Sequence, residues 1–588
     1  MRALQDQVMA STLLADYLAY TDPWFDPVES LLTEVCRGHG YHSRLPQGAC
    51  VHPLRESLGY ALALLQGGEC GQVARANAVL SRVLALQDTD PFSPTYGIWS
   101  WYLEESLEQM DPPDWNWADF LGMLLAQAIR CHADRLDAMI LERARAALGH
   151  AALCIFRRNV HLEYTNIAVM GSGATAAAGE MLHNPSLLDF GRERLRRIIA
   201  LAELHGGFVE YSSPTYTMVV IEECERILLV CRDAQVLAAA EEVRRRAWRI
   251  IAEQFHPGTG QWSGPQSRAY SDRLSPQLVR YLTEQTGAPI RSRRDQEPEG
   301  APACPIVPAL PCPADLIPAF HGLAADVVRR EQCLVRREHP AVKPLSKFSS
   351  DALRNLFPAK PARLQYGDRR GTTWMVPHAT LGSVNHEDLW NQRRTLLAYW
   401  ATPQDPAVAF RLRFLHDGRD FASAFVRNHQ VDNRVLSAIS LLSNRGDWHP
   451  LFDHPADEVF VATEFRLRYQ LTGVGVSAER LDGSRFALSA GGYRIVVHAS
   501  MAIFDGADVA WTCGDSKDEA WVDAVCTRGN LDLRHLGRIA LAAGVELLNI
   551  TQPPTPEPIE ISVLENGYRA IWGDLHLTVP SILDAYPA

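Results

Sequence analysis

The chain has 588 residues, 47% of them apolar and 21% charged, with a formal net charge of −12. That length exceeds what one hydrophobic core usually organises and the composition is that of ordinary globular proteins, so two or more packed domains are expected and a disordered or fibrous chain is excluded. The negative balance argues against general nucleic-acid binding, while a locally basic cleft for a polyanion stays open because net charge does not say where the charges sit.

Met1 to Tyr20 mixes Gln5, Asp6 and Asp16 into an amphipathic pattern with neither a basic start nor a continuous apolar run, so no signal peptide is expected. No stretch approaches the roughly 18 uninterrupted apolar residues of a membrane span. The twelve cysteines are scattered, and Cys304 with Cys312 has no second pair to complete a zinc site. Reduced thiols, a cytoplasmic location and no metal or other cofactor are the expectation.

From Met1 to about Leu282 the pattern is helical, broken by short Gly, Pro or Asp signals whose spacing suggests repeated helical hairpins. Trp117, Phe120, Leu121, Leu124, Leu125 and Ala128 form one apolar stripe, preceded by Pro112, Pro113 and a cap at Asp114. Leu54–Leu65, Val73–Leu86, Ala133–Ile155, Leu187–Leu204 and Val236–Phe255 read the same way. Between Pro289 and Pro318 the texture turns charged and Pro-rich and reads as a linker. Beyond it, Val408–Phe414, Val459–Tyr469, Tyr493–His498 and Leu575–Val579 read as strands, and the alternation in Phe465-Arg466-Leu467-Arg468-Tyr469 fits an antiparallel sheet. Helices first and strands later make an α+β multidomain chain: a helical domain over 1–300 and an antiparallel β-domain over 301–588.

Three segments concentrate chemistry. In His205-Gly206-Gly207-Phe208-Val209-Glu210-Tyr211-Ser212-Ser213-Pro214-Thr215-Tyr216 the glycines end one helix, Ser212 or Ser213 caps the next, Pro214 fits its first position and Tyr216 falls in its first turn. There the helix dipole favours a phenolate. In Glu163 to Gly173, Asn166 opens a helix of small residues that would let a ligand or another chain approach. In Gln261 to Arg273, Trp262 and Arg268 lie in a donor-rich loop, and the Arg268 fork suits either an internal carboxylate, Glu210 or Asp272, or that of a substrate. For any single tyrosine here, packing with a bonded hydroxyl is the commoner role.

The series of an Asn at a helix start, a Gly-Phe-Val-Glu-Tyr segment, a Tyr shortly after and an Arg some fifty residues later resembles the toroid polysaccharide lyases, the chondroitin AC and hyaluronate lyase group and the heparinase II/III-like proteins. The resemblance implies an incomplete (α/α) toroid followed by a β-sandwich, acting by β-elimination on a uronic-acid-containing glycan. Tyr216 or Tyr211 would then serve as base and acid, with Asn166 and Arg268 neutralising the uronate carboxylate. Where hyaluronate-type lyases carry a His, this chain has Tyr211, leaving His205 as the nearby imidazole. The resemblance also puts His386, Trp390, Gln392 and Arg393 at the cleft, and Glu210, Trp99, Trp101 and Trp262 are further candidates for substrate contact. An anionic glycan is the expected partner, with no nucleic acid and no membrane. Two other readings stand: a toroid glycoside hydrolase with carboxylates among Glu163, Glu210 and Asp272, and a non-catalytic glycan-binding protein.

Overall fold

The computed structural model describes residues 2–36, 42–291, 302, 304–335, 369–386, 392–442, 459–460, 462–532, 535–580 and 582–583. The helices run α1 (Arg2–Thr21), α2 (Leu54–Gly67), α3 (Cys70–Leu84), α4 (Trp117–His132), α5 (Ala138–Arg158), α6 (Thr165–Met181), α7 (Pro185–His205), α8 (Tyr216–Val230), α9 (Ala234–Gln254) and α10 (Pro276–Thr286). Consecutive helices pair as hairpins, α2 with α3 through α8 with α9. The first members, α2, α4, α6 and α8, pack each on the next, and the second members form a layer behind them. Among the described residues no helix is long and apolar enough to cross a membrane.

Composition explains which helix lies inside. Outer α9 buries one stripe through Val236, Ala240, Val243, Ala247 and Ile251, as an amphipathic helix does. Inner α6 is buried at every position from Thr165 to Gly179. Its small residues serve this chain's own packing: a Cβ on Gly173 would meet Ile227 at 2.5 Å, and one on Gly171 would meet Asp119 at 2.3 Å. The expectation that these residues admit a ligand or another chain is corrected accordingly.

Asn184 caps α7, its side chain accepting from the backbone N–H groups of Ser186 and Leu187. Asn184→Ala is expected to lower stability by about 1 kcal/mol, read as a reduced denaturation midpoint; an unchanged midpoint would leave the cap without weight.

The Pro-rich segment is more than a tether. Ile306 and Cys312 sit in the helical core, Gln127 donates to the Ile306 carbonyl at 2.5 Å, and Arg244 donates to those of Leu310 and Pro311 at 2.7 and 2.6 Å. The segment forms neither strand nor helix here, so its carbonyls are open to the buried donors on α4 and α9.

The second half is built on two antiparallel sheets sharing one core. Among the described residues the larger has nine strands, its main path running Trp511–Asp515, Glu519–Thr527, Phe465–Thr472, Val408–His416, Leu396–Trp400, Ala379–Val384, Arg369–Val376 and Val328–Val335. The smaller runs Ala424–Val431, Arg434–Leu442, Leu541–Asn549, Tyr493–Ala499, Arg485–Ala490 and Ser477–Arg480, with Ile582–Leu583 added in parallel. Alternation sets the faces: Leu396, Ala398 and Trp400 enter the shared core, while Leu397 and Tyr399 point the other way. Phe465, Leu467 and Tyr469 also enter it, and Arg466 and Arg468 pair on the opposite face with Asp523 of the neighbouring strand. The expected single run from Val459 to Tyr469 is instead two strands, Val459–Phe460 and Phe465–Thr472.

The outward face of the larger sheet docks on the loop after α9. Thr373 donates to the Gly264 carbonyl at 2.8 Å, Thr380 to Ser263 at 3.0 Å, and a His256 ring nitrogen lies 2.7 Å from the Val376 carbonyl. A Cβ on Gly382 would meet the Gly264 carbonyl oxygen at 1.9 Å, so glycine at 382 is what allows loop and strand to touch.

Candidate functional site

Six side chains converge where α6, the segment before α8, the loop over 266–273 and the larger sheet meet. Arg268 is the hub: its Nε donates to Gln392 Oε1 at 3.0 Å, one terminal nitrogen to Glu210 at 2.9 Å and the other to the Tyr216 hydroxyl at 2.9 Å. Its guanidinium carbon lies 4.0 Å from the Tyr216 ring centroid. Asn166 donates to Glu210 from both its backbone N–H at 2.9 Å and its side-chain amide at 2.6 Å. The Tyr216 hydroxyl is 2.6 Å from that of Tyr270, a residue 59% exposed.

Local structure fixes each member. Asn166 is the second residue of α6 and Tyr216 the first of α8. Ser213 accepts the Tyr216 backbone N–H at 3.1 Å and donates to the Arg268 carbonyl at 2.7 Å, tying the start of α8 to the loop. Pro214 therefore lies before the helix, not at its first position. Backbone pairing of Gln266 with Arg394, and of Ala269 N–H with the Gln392 carbonyl at 2.8 Å, locks the loop to the sheet and brings Gln392 to Arg268.

Burial pushes the Tyr216 phenol well above its ordinary range, against the opposing pull of Arg268. Tyr164, whose ring centroid lies 5.7 Å from the Arg268 guanidinium carbon, is raised for the same reason. Burial disfavours the charge on Arg268, yet the Tyr216 oxygen and Glu210 carboxylate more than offset it and hold the cation. Tyr216 is thus a neutral phenol at rest, with a cation fixed where a phenolate would form.

The other expected site residues divide. Tyr211 is buried, packed on Val384 of the larger sheet. His205 ends α7 and is buried. Trp101 is half-buried, stacked on Trp117 at a centroid distance of 5.0 Å and bonded to Asp114 at 3.2 Å. Asn116 links this aromatic wall to the cluster, its amide 3.5 Å from the Tyr164 hydroxyl. His386 is buried near Phe425, and Arg393 donates to the Ala424 carbonyl. Trp390 lies outside the described residues.

Three expectations are corrected. Trp99 and Trp262 are completely enclosed, Trp99 donating to the Val83 carbonyl at 2.9 Å, so neither offers a ring face to a sugar. Asn166, expected to meet a substrate carboxylate, donates to an internal one, Glu210, which is also the internal partner that Arg268 takes of the two open to it. Asp272, a candidate for hydrolytic chemistry, is bound by Arg394 at 2.6 Å and Arg411 at 2.5 Å. Burial alone would raise its carboxyl, but the two guanidinium groups outweigh burial and hold it at about 2, the wrong direction for a general acid. Tyr270 and Tyr164 join the cluster with no sequence signal beyond an aromatic in a loop, since their role follows from contacts with residues about fifty positions away. Among the described residues no cluster of His, Cys, Asp or Glu is arranged to hold a metal ion.

A family model described as a domain of unknown function, DUF8769, matches residues 11–279. No curated protein matches the chain. Among solved structures, a heparinase III superposes with a TM-score of 0.42 at 10% identity, covering 98% of this chain and 90% of that one. A second heparinase III gives 0.31 at 8% identity, covering 90% and 82%. A Streptomyces coelicolor A3 chondroitin AC lyase, solved with chondroitin sulphate, gives 0.27 at 10% identity, covering 92% and 100%.

Proposed function

We propose that the chain is a lyase that cleaves a uronic-acid-containing glycan by β-elimination, on an incomplete toroid joined to a β-sandwich, with Tyr216 as the proton-transfer group. The observation that carries this reading is the position of the Tyr216 hydroxyl, 2.9 Å from Arg268 and 2.6 Å from Tyr270. Elimination removes a weakly acidic proton beside a carboxylate and delivers one to the departing glycosidic oxygen. A phenolate at Tyr216, stabilised by the fixed Arg268 charge, takes the carbon-bound proton; the phenol so formed returns it to the leaving oxygen, and the electron pair of the broken C–H bond becomes the new double bond. Tyr270, largely exposed, is the route by which the resting phenol loses its proton to solvent. Glu210, which accepts from both Asn166 and Arg268, holds the cation in place beside Tyr216. Trp101, half-buried and backed by the buried Trp117, supplies an aromatic surface for a sugar ring.

The test is the ultraviolet absorbance of the protein incubated with a panel of uronate-containing oligosaccharides. Elimination gives a rise from the conjugated unsaturated uronate. New reducing ends without that rise would replace this reading with hydrolysis.

A further inference from the structure

At one end of the sandwich, away from every residue of the Tyr216 cluster in sequence and sharing none of them, the two sheets leave an open cavity of about 380 Å³. That is within the span of small-ligand sites, about 300–1,000 Å³. Each sheet contributes a cross-strand pair. Arg329 sits opposite Trp374 on the larger sheet, and Tyr493 opposite Asn549 on the smaller. The turn Asp432-Asn433, between strands Ala424–Val431 and Arg434–Leu442, supplies the third wall, with Asp432 at φ 51° as a tight hairpin requires.

The lining combines aromatic surface with hydrogen-bonding groups. Trp374 and Tyr493 are half-buried against the core. Asn433 is fixed by donating to the Leu547 carbonyl at 2.9 Å, and Gln552 by accepting the Asn549 backbone N–H at 3.0 Å. The Trp374 indole N–H, the Tyr493 hydroxyl, the Asn433 side-chain carbonyl and the amide nitrogens of Asn549 and Gln552 are taken up by no other described residue. Arg329 and Asp432 chelate each other, with one of the two bonds at 3.0 Å, so the lining carries both signs of charge and no net one.

From this geometry we propose a second glycan-binding site, formed by Trp374, Tyr493, Asn433, Asn549 and Gln552, that takes an uncharged sugar residue. A pyranose offers apolar C–H faces to aromatic rings and a rim of hydroxyls, each both donor and acceptor, to planar amides. The cancelled charge at the mouth selects against a carboxylate or sulfate, in contrast to the cation at Arg268. The site does not rest on elimination at Tyr216.

The experiment is saturation-transfer NMR and titration calorimetry on the full chain with two neutral probes, the tetrasaccharides of β-1,4-linked glucose and of β-1,4-linked N-acetylglucosamine. At least one is expected to bind, equally in Tyr216→Phe. Trp374→Ala and Asn549→Ala should each weaken binding tenfold or more, and Trp24→Ala, an exposed indole elsewhere, should not. Because Trp374 also touches the core, Asn549→Ala decides if Trp374→Ala misfolds. Binding of neither probe, or binding indifferent to Asn549→Ala and to a folded Trp374→Ala, overturns the proposal.

Discussion

Tyr216→Phe is expected to lower the elimination rate by about 10²- to 10⁴-fold, the usual contribution of a positioned acid or base, while leaving the substrate dissociation constant within about threefold. Phenylalanine keeps the ring on which the Arg268 guanidinium rests and deletes only the oxygen held at 2.9 and 2.6 Å. Arg268 retains Glu210 and Gln392, so the cluster should stay folded. A pH signature accompanies the loss. Burial raises the Tyr216 pKa, so the phenolate is a minor species at neutral pH, and its population grows tenfold per pH unit below that pKa. With the phenolate as base, kcat/KM should climb with pH through the neutral and mildly alkaline range. An active Phe variant, or a rate that falls across that range in the parent protein, would remove Tyr216 from the base role.

The parts of this site that were legible in the sequence are those governed by local rules. Gly206 and Gly207 end a helix and Tyr216 begins the next because chain punctuation acts over a few residues, and the charged face of Arg466 and Arg468 follows from strand alternation. What could not be read was pairing at a distance. Glu210 could be offered to Arg268 as a partner, but an Asn, a Glu and an Arg separated by 44 and 58 residues carry no mark that Glu210 will take Asn166 as well, and that shared contact makes a pre-formed triad. Tryptophans failed for a related reason: Trp99 and Trp101 stand two apart in one segment, yet one is sealed in the core and the other lies on the aromatic wall, a difference set by packing alone. The dense docking of the loop after α9 on the larger sheet was equally invisible, since it depends on bare backbone at Gly264 and Gly382.

That docking makes the junction of the two halves an acid-sensitive part of the molecule. Asp272, from the helical half, is gripped by Arg394 and Arg411 of the sheet, and Arg411 also binds Asp420 at 2.6 Å. Removing a partner from a buried ion pair leaves uncompensated charge and costs about 3–5 kcal/mol. Asp272→Ala is therefore expected to destabilise the chain by that amount, whereas Asp189→Ala, which removes an exposed partner of Arg192, should cost about 0–1 kcal/mol. Acid should reproduce part of the loss without mutation. Burial pushes the buried imidazole of His256 down to about 4, and Asp272 is held at about 2, so in both cases the unfolded chain takes up the proton more readily than the folded one. Stability from His256 is fully present above the unfolded imidazole pKa of about 6.5 and is lost as pH falls toward 4; that from Asp272 is present above about 4 and drains toward 2. Urea midpoints measured down this range should fall throughout, and Asp272→Ala should fall less than the parent in the lower window while keeping the upper one, because Asp420 and Glu193 are also held low and titrate there. If the variant matches the parent at neutral pH and declines along the same curve in acid, the Asp272 grip is not what joins the two halves.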